Sequence, residues 1–430
     1  MADASLARWL ERLESLHPRS MDLGLERVAA VAANLALLPV APPVITVAGT
    51  NGKGSVVAVL EALLQGCGRH TGVYTSPHLL RFNERIRVAG AEVGDSEIIA
   101  AFEAIDAARG ETSLTYFEFA TLAALLIFAA RKVDVLVLEV GLGGRLDAVN
   151  IVDPQVAVIT AIDLDHQGWL GETRDEIARE KAGILRRDRP VVIADSSPPP
   201  SLRARAEEVG AAPILQLGEA FSVEISGDSW SGTLWLGPGE GRRLPPQSPG
   251  PLLPANVCAA LQAGVLLGQP FSDEQLQRAL SAAHPPGRRQ FLRQKEREYL
   301  LDVAHNPAAV GKMLEYIDSN PCKGRTIGLF SAMSDKDIPG MLQLAAGHIE
   351  AWFLADQPGN ARAARAADVA AILREQGQGM ISVSKNLRQA LRRAEGLMGP
   401  GDRLVVFGSF TTVAGVLPLL EKGRGRSGAA

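Results

Sequence analysis

Short apolar runs alternate with helical patterns along most of the chain. Val44–Ala48, Val133–Val140 and Val156–Ile162 have the length of strands and almost no polar alternation, and each is followed by polar or glycine residues. Strands of this kind, separated by amphipathic helices, are typical of a parallel sheet covered by crossover helices. The pattern therefore predicts an α/β fold.

The pattern changes in two places and so predicts the domain organisation. Residues 221–236 alternate between apolar and polar positions, which favours a small antiparallel excursion. Two prolines and a glycine in 284–289 interrupt any regular element and predict an interdomain hinge. We expect a first domain over 1–285, a second over 286–422 and a frayed tail over 423–430. The second domain has its own strands, near Tyr299–Val303, Thr326–Phe330, Ala351–Ala355 and Arg403–Phe407.

Composition mainly excludes classes of function. The 430 residues carry 44 Lys plus Arg against 48 Asp plus Glu, a net charge of −4, which gives no broad positive surface for nucleic acid or an anionic membrane. The apolar run 119–130 is shorter than the ~20 residues that cross a bilayer, and the charged N-terminal helix pattern over 1–14 does not resemble a signal peptide. The three scattered cysteines predict a reducing, cytoplasmic compartment, and the lack of a heptad seam makes a monomer the default.

A glycine-rich loop follows the first buried strand and precedes a helical pattern. In this context backbone N–H groups surround phosphate oxygens, and a lysine at the end of the loop bridges the outer phosphates. The spacing departs from the usual G-x-x-x-x-G-K-[ST], because the first glycine is one residue closer and another glycine precedes the serine. We predict nucleotide binding rather than a simple tight turn, by the residues Gly49, Thr50, Asn51, Gly52, Lys53, Gly54 and Ser55.

Three polar side chains are expected at the carboxyl ends of parallel strands, where ligands of open sheets collect. Glu139 stands near the end of an apolar strand, Ser76 follows a shorter one, and His166 lies just past a third. This set suits Mg²⁺ that bridges ATP phosphates. Taken singly, Ser76 fits a turn and His166 fits a structural histidine equally well, whereas a carboxylate on a buried strand requires a partner or a metal.

Three further segments are less decisive from the residues alone. Gly141–Asp147 has the glycines of a substrate-facing loop or of a simple connector. Residues 179–183 form a charged run, which on its spacing alone predicts a solvated face of a helix. Asp302–Pro307 is predicted to close the first strand after the hinge and to form a polar strand end.

Together these motifs resemble the folylpolyglutamate synthase and dihydrofolate synthase family of Mur-ligase-like ATP-dependent amide ligases. The resemblance covers nearly the whole chain, including 21–27, 74–79, 114–118, 138–147, 163–166, 180–183, 286–288, 302–307 and 334–337. It implies a P-loop-containing central domain with a parallel sheet and a smaller Rossmann-like α/β domain at the C-terminus. It also implies ATP and Mg²⁺ as cofactors and dihydropteroate, tetrahydrofolate derivatives and L-glutamate as substrates.

The resemblance also assigns roles to residues. Gly52–Ser55 would hold ATP phosphates, Ser76, Glu139 and His166 would bind Mg²⁺, and Lys181 would be a carbamate that binds a second Mg²⁺. Lys53, Lys181 and His305 would take part in catalysis. The nucleotide would contact Asn256, Arg288 and Asp302. The pocket for the pterin substrate would be lined by Asp22, Leu23, Thr115, Tyr116, Phe117, Glu118, Arg145, Leu146, Asp147 and Ala148.

The implied reaction phosphorylates a carboxylate and joins it to the amine of glutamate. Other functions stay open at this point: a P-loop kinase or NTPase switch, a nucleotide-binding module without catalysis, a related ligase for cell-wall precursors, or a folylpolyglutamate synthase without the dihydrofolate synthase activity. The segments at Asp22 and Thr115–Glu118 favour folates over cell-wall precursors.

Overall fold

The structure is a computed structural model that describes residues 5–17 and 22–427, with side chains described as far as residue 422. The chain forms two compact units, Met1–Ala283 and His284–Ala430. Of the described residues, none forms a helix that is both long and apolar enough to cross a membrane.

The first unit is built on an eight-stranded sheet of order β4-β3-β2-β5-β1-β6-β7-β8. The six strands from β2 to β8 in this order are parallel, and the edge hairpin formed by β3 and β4 is antiparallel. The strands are β1 (Val44–Ala48), β2 (Thr71–Tyr74), β3 (Ile86–Val88), β4 (Ala91–Glu92), β5 (Val135–Glu139), β6 (Val156–Ile159), β7 (Val191–Ile193) and β8 (Ile214–Gln216).

Helices cover both faces of this sheet, which explains why every residue of β1, β2, β5 and β6 is buried. The apolar run 119–130 lies in helix α5, and Thr115 and Glu118 close the N-terminus of this helix as a capping box. The helices are α1 (Leu6–Leu16), α2 (Glu26–Asn34), α3 (Lys53–Gly66), α4 (Asp95–Arg109), α5 (Tyr116–Arg131), α6 (Gln167–Leu170), α7 (Arg174–Lys181), α8 (Pro200–Val209), α9 (Pro254–Leu266) and α10 (Asp273–Ala282).

The antiparallel excursion predicted over 221–236 is present as a three-stranded sheet. Its strands are β9 (Ser222–Ser226), β10 (Ser229–Gly237) and β11 (Glu240–Arg243), in the order β11-β10-β9. One face packs on the core beside α9, because Trp230 and Leu234 are buried there.

The second unit is a six-stranded sheet of order β12-β13-β17-β14-β15-β16. Only the β12–β13 pair is antiparallel. The strands are β12 (Gln290–Gln294), β13 (Arg297–Leu301), β14 (Thr326–Phe330), β15 (Ala351–Ala355), β16 (Ile381–Ser384) and β17 (Arg403–Phe407), and the helices are α11 (Pro307–Ser319), α12 (Ile338–Ala345), α13 (Ala366–Glu375), α14 (Leu387–Leu397) and α15 (Phe410–Ser427).

The α/β class is confirmed, and three details differ from the sequence prediction. The first strand after the predicted hinge is β12 rather than β13, so Asp302 follows the second strand; the polar alternation of Gln290–Gln294 reflects its position at the sheet edge. The short strands β3, β4, β7, β8 and β16 were not predicted. The segment 423–430, expected to be frayed, continues α15 as far as Ser427, and 428–430 lie outside the described residues, as do Met21 and the first four positions of the predicted N-terminal helix.

Candidate active site

The glycine loop between β1 and α3 has the geometry of an anion cradle. Gly49 has φ +144° and Gly52 has φ +99°, and Gly52 is the residue that precedes α3 without a side-chain cap. A Cβ on Gly49 would collide with Thr160, and one on Gly52 would lie 2.7 Å from Asn256 Oδ1. The loop therefore requires glycine at both positions, and no side chain caps the first N–H groups of α3, as is typical of helix N-termini that bind anions.

Neighbouring segments fix this loop in place. The Thr50 hydroxyl donates to the Asp163 carbonyl and accepts from the Asp163 N–H, both at 3.1 Å, and Asn51 forms a bridge with Ala161. Asn256, predicted from the resemblance to contact the nucleotide, is 6% exposed and packs against Gly52. Gly54 and Ser55 lie in the first turn of α3. The loop is thus tied to the segment after β6 and to the start of α9.

Two lysines from distant parts of the sequence donate to one carbonyl. Lys53 Nζ lies 3.0 Å from the Gly49 oxygen, and Lys181 Nζ lies 2.9 Å from the same atom. Burial and the charge of Lys53 lower the pKa of Lys181 from 10.5 to about 7, against the opposing effect of Asp165 and Asp147. Lys181 is 3% exposed, so the solvated charge run that spacing alone favoured is wrong at this residue, which instead lies at the phosphate loop.

The strand ends bring two of the proposed metal ligands together. Because β2 and β5 are neighbours, Ser76 and Glu139 end side by side, and the Ser76 N–H donates to Glu139 Oε2 at 3.3 Å. His166 follows β6, two strands away, in a left-handed conformation that begins α6. Among the described residues no three His, Cys, Asp or Glu side chains are grouped for a metal ion. A serine, a buried carboxylate and an imidazole nevertheless fit Mg²⁺ that also has phosphate oxygens as ligands.

The loop after β5 places a buried carboxylate beside an aromatic ring. Asp147 is 3% exposed and accepts from the N–H groups of Leu142 at 2.8 Å and Val149 at 3.0 Å. Burial raises the pKa of Asp147 from 3.8 to about 6, although these hydrogen bonds and Lys53 act in the opposite direction. A Cβ on Gly141 would lie 2.6 Å from the Phe117 ring, so the glycine allows this loop to approach α5 closely.

The other residues predicted in the loop after β5 differ in their exposure to solvent. Arg145 is exposed and pairs with Glu180 at 2.9 Å, which ties the loop to α7. Leu146 is half-buried and Ala148 is buried. The loop thus reaches from Phe117 to the helix that carries Lys181.

Arg27 connects the two segments predicted to line the pterin. Its guanidinium pairs with Asp22 at 2.8 Å and with Glu118 at 3.1 Å. Glu118 also accepts from the Thr115 N–H at 2.7 Å, while Leu23 is half-buried beside them. Arg27 was not predicted as a site residue, because an arginine near a helix start gives no signal of a partner about ninety residues away.

A second pair that was not predicted as part of the site lies near Tyr116. Arg85 Nε donates to His78 Nδ1 at 2.8 Å, and its guanidinium lies 5.6 Å from the Tyr116 ring centroid. Burial, followed by the charge of Arg85, lowers the pKa of His78 from 6.5 to about 4, with Glu84 acting in the opposite direction. His78 is therefore neutral at physiological pH.

In the second unit, two of the predicted residues lie beside Phe410. Arg288 lies 4.7 Å from the ring centroid, and the His305 ring lies 6.0 Å from it. His305 Nδ1 is 2.8 Å from the Val303 carbonyl. Asp302 accepts from the N–H groups of Arg289 at 3.0 Å and Ala304 at 2.8 Å, and burial raises the pKa of this carboxyl.

Comparisons with known proteins agree with this architecture. Residues 47–220 match the Mur ligase middle domain, and residues 287–410 match the Mur ligase glutamate ligase domain. The chain is 40% identical to the Escherichia coli dihydrofolate synthase/folylpolyglutamate synthase, over 98% of this chain and 97% of that protein.

Solved structures give the same result. Escherichia coli FolC in complex with DHPP and ADP is 39% identical, with a TM-score of 0.92 over 99% of each chain. A bifunctional folylpolyglutamate synthase/dihydrofolate synthase with Mn, AMPPNP and L-glutamate bound is 41% identical, with a TM-score of 0.89 over 98% of this chain and 99% of that one. The chain therefore belongs to the dihydrofolate synthase/folylpolyglutamate synthase family of the Mur ligases.

Proposed function

We propose that this ATP-dependent glutamate ligase joins L-glutamate both to dihydropteroate, giving dihydrofolate, and to tetrahydrofolate derivatives, giving folylpolyglutamates. The observation that carries the proposal is the convergence of Lys53 and Lys181 on Gly49 of an anion cradle, beside the acidic strand end at Glu139. A related structure has L-glutamate bound and another has DHPP, which supports the same substrates for this chain.

The reaction has two steps. The carboxylate of the acceptor attacks the γ-phosphorus of ATP, which forms an acyl phosphate and releases ADP. The amine of glutamate then attacks the acyl carbon, inorganic phosphate leaves, and an amide remains after loss of a proton. Because ATP supplies the leaving group, the chain needs no nucleophilic side chain and contributes positioning and charge stabilisation.

Lys53 and the first N–H groups of α3 hold the phosphates in this proposal. Lys53 now donates to the carbonyls of Gly49 and Thr50, at 3.0 and 3.2 Å, so its ammonium group already lies at the rim of the cradle. The charge of the transferring phosphoryl group is offset there without reorganisation of the loop. Nucleotide contacts are also assigned to Asn256, Arg288 and Asp302, as the family resemblance implies.

We propose that the divalent metal is Mg²⁺ and that it is bound by Ser76, Glu139 and His166. The metal would supply charge neutralisation between the phosphoryl oxygens and the acceptor carboxylate. We propose that Lys181 carries a carbamate, because the pKa of about 7 leaves a large neutral fraction of this buried amine available to react with carbon dioxide. The carbamate would be an anion and would provide oxygen ligands for a second Mg²⁺.

The pterin substrate is assigned to the segments joined by Arg27 and to the loop after β5. The aromatic side chains of Tyr116 and Phe117 provide the apolar contact for the pterin rings. Asp147 provides a polar contact to them. The remaining proposed contacts are Asp22, Leu23, Thr115, Glu118, Arg145, Leu146 and Ala148. His305 is assigned to the glutamate or to the transferred phosphoryl group.

We also propose that the protein acts as a cytoplasmic monomer. Cys67, Cys258 and Cys322 form no disulfide, which supports the proposal that the protein works in a reducing compartment.

The test is an assay of ADP release and product mass with ATP, Mg²⁺ and glutamate, using dihydropteroate in one series and tetrahydrofolate in the other. A mass increase of one glutamyl residue in both series is expected. Product only from tetrahydrofolate would reduce the function to folylpolyglutamate synthase. A phosphorylated end product, or ATP hydrolysis independent of glutamate, would contradict the ligase mechanism and favour a kinase or NTPase.

A further inference from the structure

The loop between β2 and β3 is held by two internal interactions. The Glu84 carboxylate accepts from three successive backbone N–H groups, those of Leu79, Leu80 and Arg81, at 2.6 to 2.7 Å. Arg85, the last residue before β3, bonds to His78 as described above. The backbone of Arg85 also accepts from the Thr75 N–H at 2.9 Å. The loop that leaves the end of β2 is therefore rigidly shaped.

Arg85 has an unusual environment for a charged side chain. It is 8% exposed, and its guanidinium lies 5.7 Å from the Phe82 ring centroid and 5.6 Å from that of Tyr116. Within the described part of the chain, no carboxylate forms an ion pair with it. Two aromatic faces, one imidazole nitrogen and the nearby Tyr74 hydroxyl surround this cation, so the His78 contact is one of its few polar interactions.

The Arg85 contact determines the tautomer of His78. An arginine N–H always donates, so His78 Nδ1 must accept and cannot carry a proton. The imidazole proton is therefore on Nε2. Within the described ranges, His78 forms no hydrogen bond, ion pair or ring contact other than those with Arg85 and Phe82, and its side chain is half-buried. Nε2–H is thus a donor of fixed orientation that is available to a ligand.

The position of His78 indicates the kind of ligand. It stands two residues after Ser76, whose N–H donates to Glu139, at the sheet edge where the phosphate loop also lies. Its partner Arg85 lies against Tyr116, in the segment assigned to the pterin substrate. His78 therefore lies between the groups assigned to the metal and those assigned to the acceptor.

We propose that His78 Nε2–H donates a hydrogen bond to the carboxylate of the pterin acceptor, and that Arg85 is a positioning residue that fixes this donor. The inference rests on the proposed function, because the ligand is the carboxylate that the ligase activates. No proton is transferred: the neutral imidazole binds and orients the oxygen. The two reaction steps described above assign no role to His78. This contact therefore adds a residue that determines specificity for the acceptor.

Paired substitutions separate the donor from the shape of the side chain. Glutamine places an amide N–H near the position of Nε2, whereas asparagine imitates only Nδ1 and phenylalanine imitates only the ring. We expect His78→Asn and His78→Phe to lower kcat/KM for dihydropteroate about 10- to 100-fold, the cost of one hydrogen bond to a charged group. His78→Gln should recover most of this loss, and KM for ATP should change little in all three.

A matched control and a structural readout complete the experiment. His70 lies just before β2, at the opposite end of the strand, and His70→Asn should behave as wild type. In ¹⁵N NMR of the ligand-free protein, His78 should show an unprotonated Nδ1 and a protonated Nε2. Arg85→Met should abolish this single-tautomer signature and lower acceptor kcat/KM several-fold, with no added loss when combined with His78→Phe.

The outcomes are distinct. Wild-type acceptor kcat/KM in His78→Phe, or a glutamine variant no better than phenylalanine, would overturn the role of the donor. A proton on Nδ1 would overturn the assigned tautomer. Failure of the wild-type protein to form an amide would instead overturn the proposed function and would leave the NMR result unaffected.

Discussion

Lys53 and Lys181 donate to the same backbone oxygen, that of Gly49, at 3.0 and 2.9 Å. One lysine begins α3 and the other ends α7, so the phosphate loop is the point at which these helices meet. Two ammonium groups at one carbonyl repel each other, and Lys53 is the second-largest cause of the lowered pKa of Lys181. A buried anion at Lys181 would convert this repulsion into attraction.

The first prediction concerns phosphate binding by Lys53. Lys53→Ala should abolish ADP release, with kcat/KM for ATP at least about 100-fold lower, since the variant removes the charge that offsets the phosphoryl group. Thermal stability should not fall, because the lysine repulsion is relieved. Coupled measurement of ADP release checks this, with Lys312→Ala, which removes an exposed lysine of α11, as control. Wild-type turnover in Lys53→Ala would exclude the assigned role.

A second prediction concerns the carbamate at Lys181. With ¹³C-bicarbonate present, NMR should show one protein carbamate signal that is absent from Lys181→Met. The methionine variant should also lose ligase activity, and acid treatment followed by removal of carbon dioxide should lower activity reversibly in wild type. Lys385→Met, an exposed position in the second unit, should retain both the signal and the activity. A signal that persists in Lys181→Met would contradict the assignment.

A third prediction tests the glycine requirement of the cradle. Gly52→Ala should weaken ATP binding at least about tenfold, because a Cβ would meet Asn256 at 2.7 Å and the φ of +99° is unfavourable for alanine. Gly66→Ala, at the end of the same helix, meets nothing within 4 Å and should stabilise the protein by up to about 1 kcal/mol. Calorimetric ATP titration and thermal melting separate the two effects. Equal behaviour of the variants would argue against a steric cradle.

The fourth prediction is for Arg27. Arg27→Met leaves Asp22 and Glu118 without their shared cation, so we expect a loss of about 1 to 3 kcal/mol in unfolding free energy. The KM for dihydropteroate should rise several-fold while the KM for ATP stays unchanged. Arg131→Met removes an exposed pair with Glu97 at 2.8 Å and should leave the unfolding free energy nearly unchanged. An unchanged acceptor KM would show that Arg27 only stabilises the fold.

The fifth prediction follows from the pKa of Asp147, which burial raises from 3.8 to about 6. Between about pH 4 and 6 the folded protein holds this proton and the unfolded chain does not, so Asp147 makes stability fall as pH rises through this window. Asp147→Asn should remove that component, worth about 1 to 3 kcal/mol, from the pH dependence. Thermal melting of the variant and wild type at pH 4 to 7 measures it. Asp228→Asn, in an exposed turn, should leave the profile unchanged.

The sequence by itself determined several of the strands and the position of the glycine loop. Val44–Ala48, Thr326–Phe330, Ala351–Ala355 and Arg403–Phe407 are strands with the predicted bounds, because strands buried on both faces are continuous apolar runs. The glycine loop was recognisable since its conformation restricts residue types locally. Local constraints of this kind are readable along the chain without knowledge of distant contacts.

Only the tertiary structure decided which distant residues meet. Lys181 looked like part of a solvated charge run, and its burial depends on how α7 packs beside the phosphate loop. Arg27 and Glu118 are joined across separate helices, and the His78 tautomer is set by Arg85 across a turn of the loop. Such pairings have no period along the sequence, because they arise where the parallel sheet brings strand ends and helix termini to one edge.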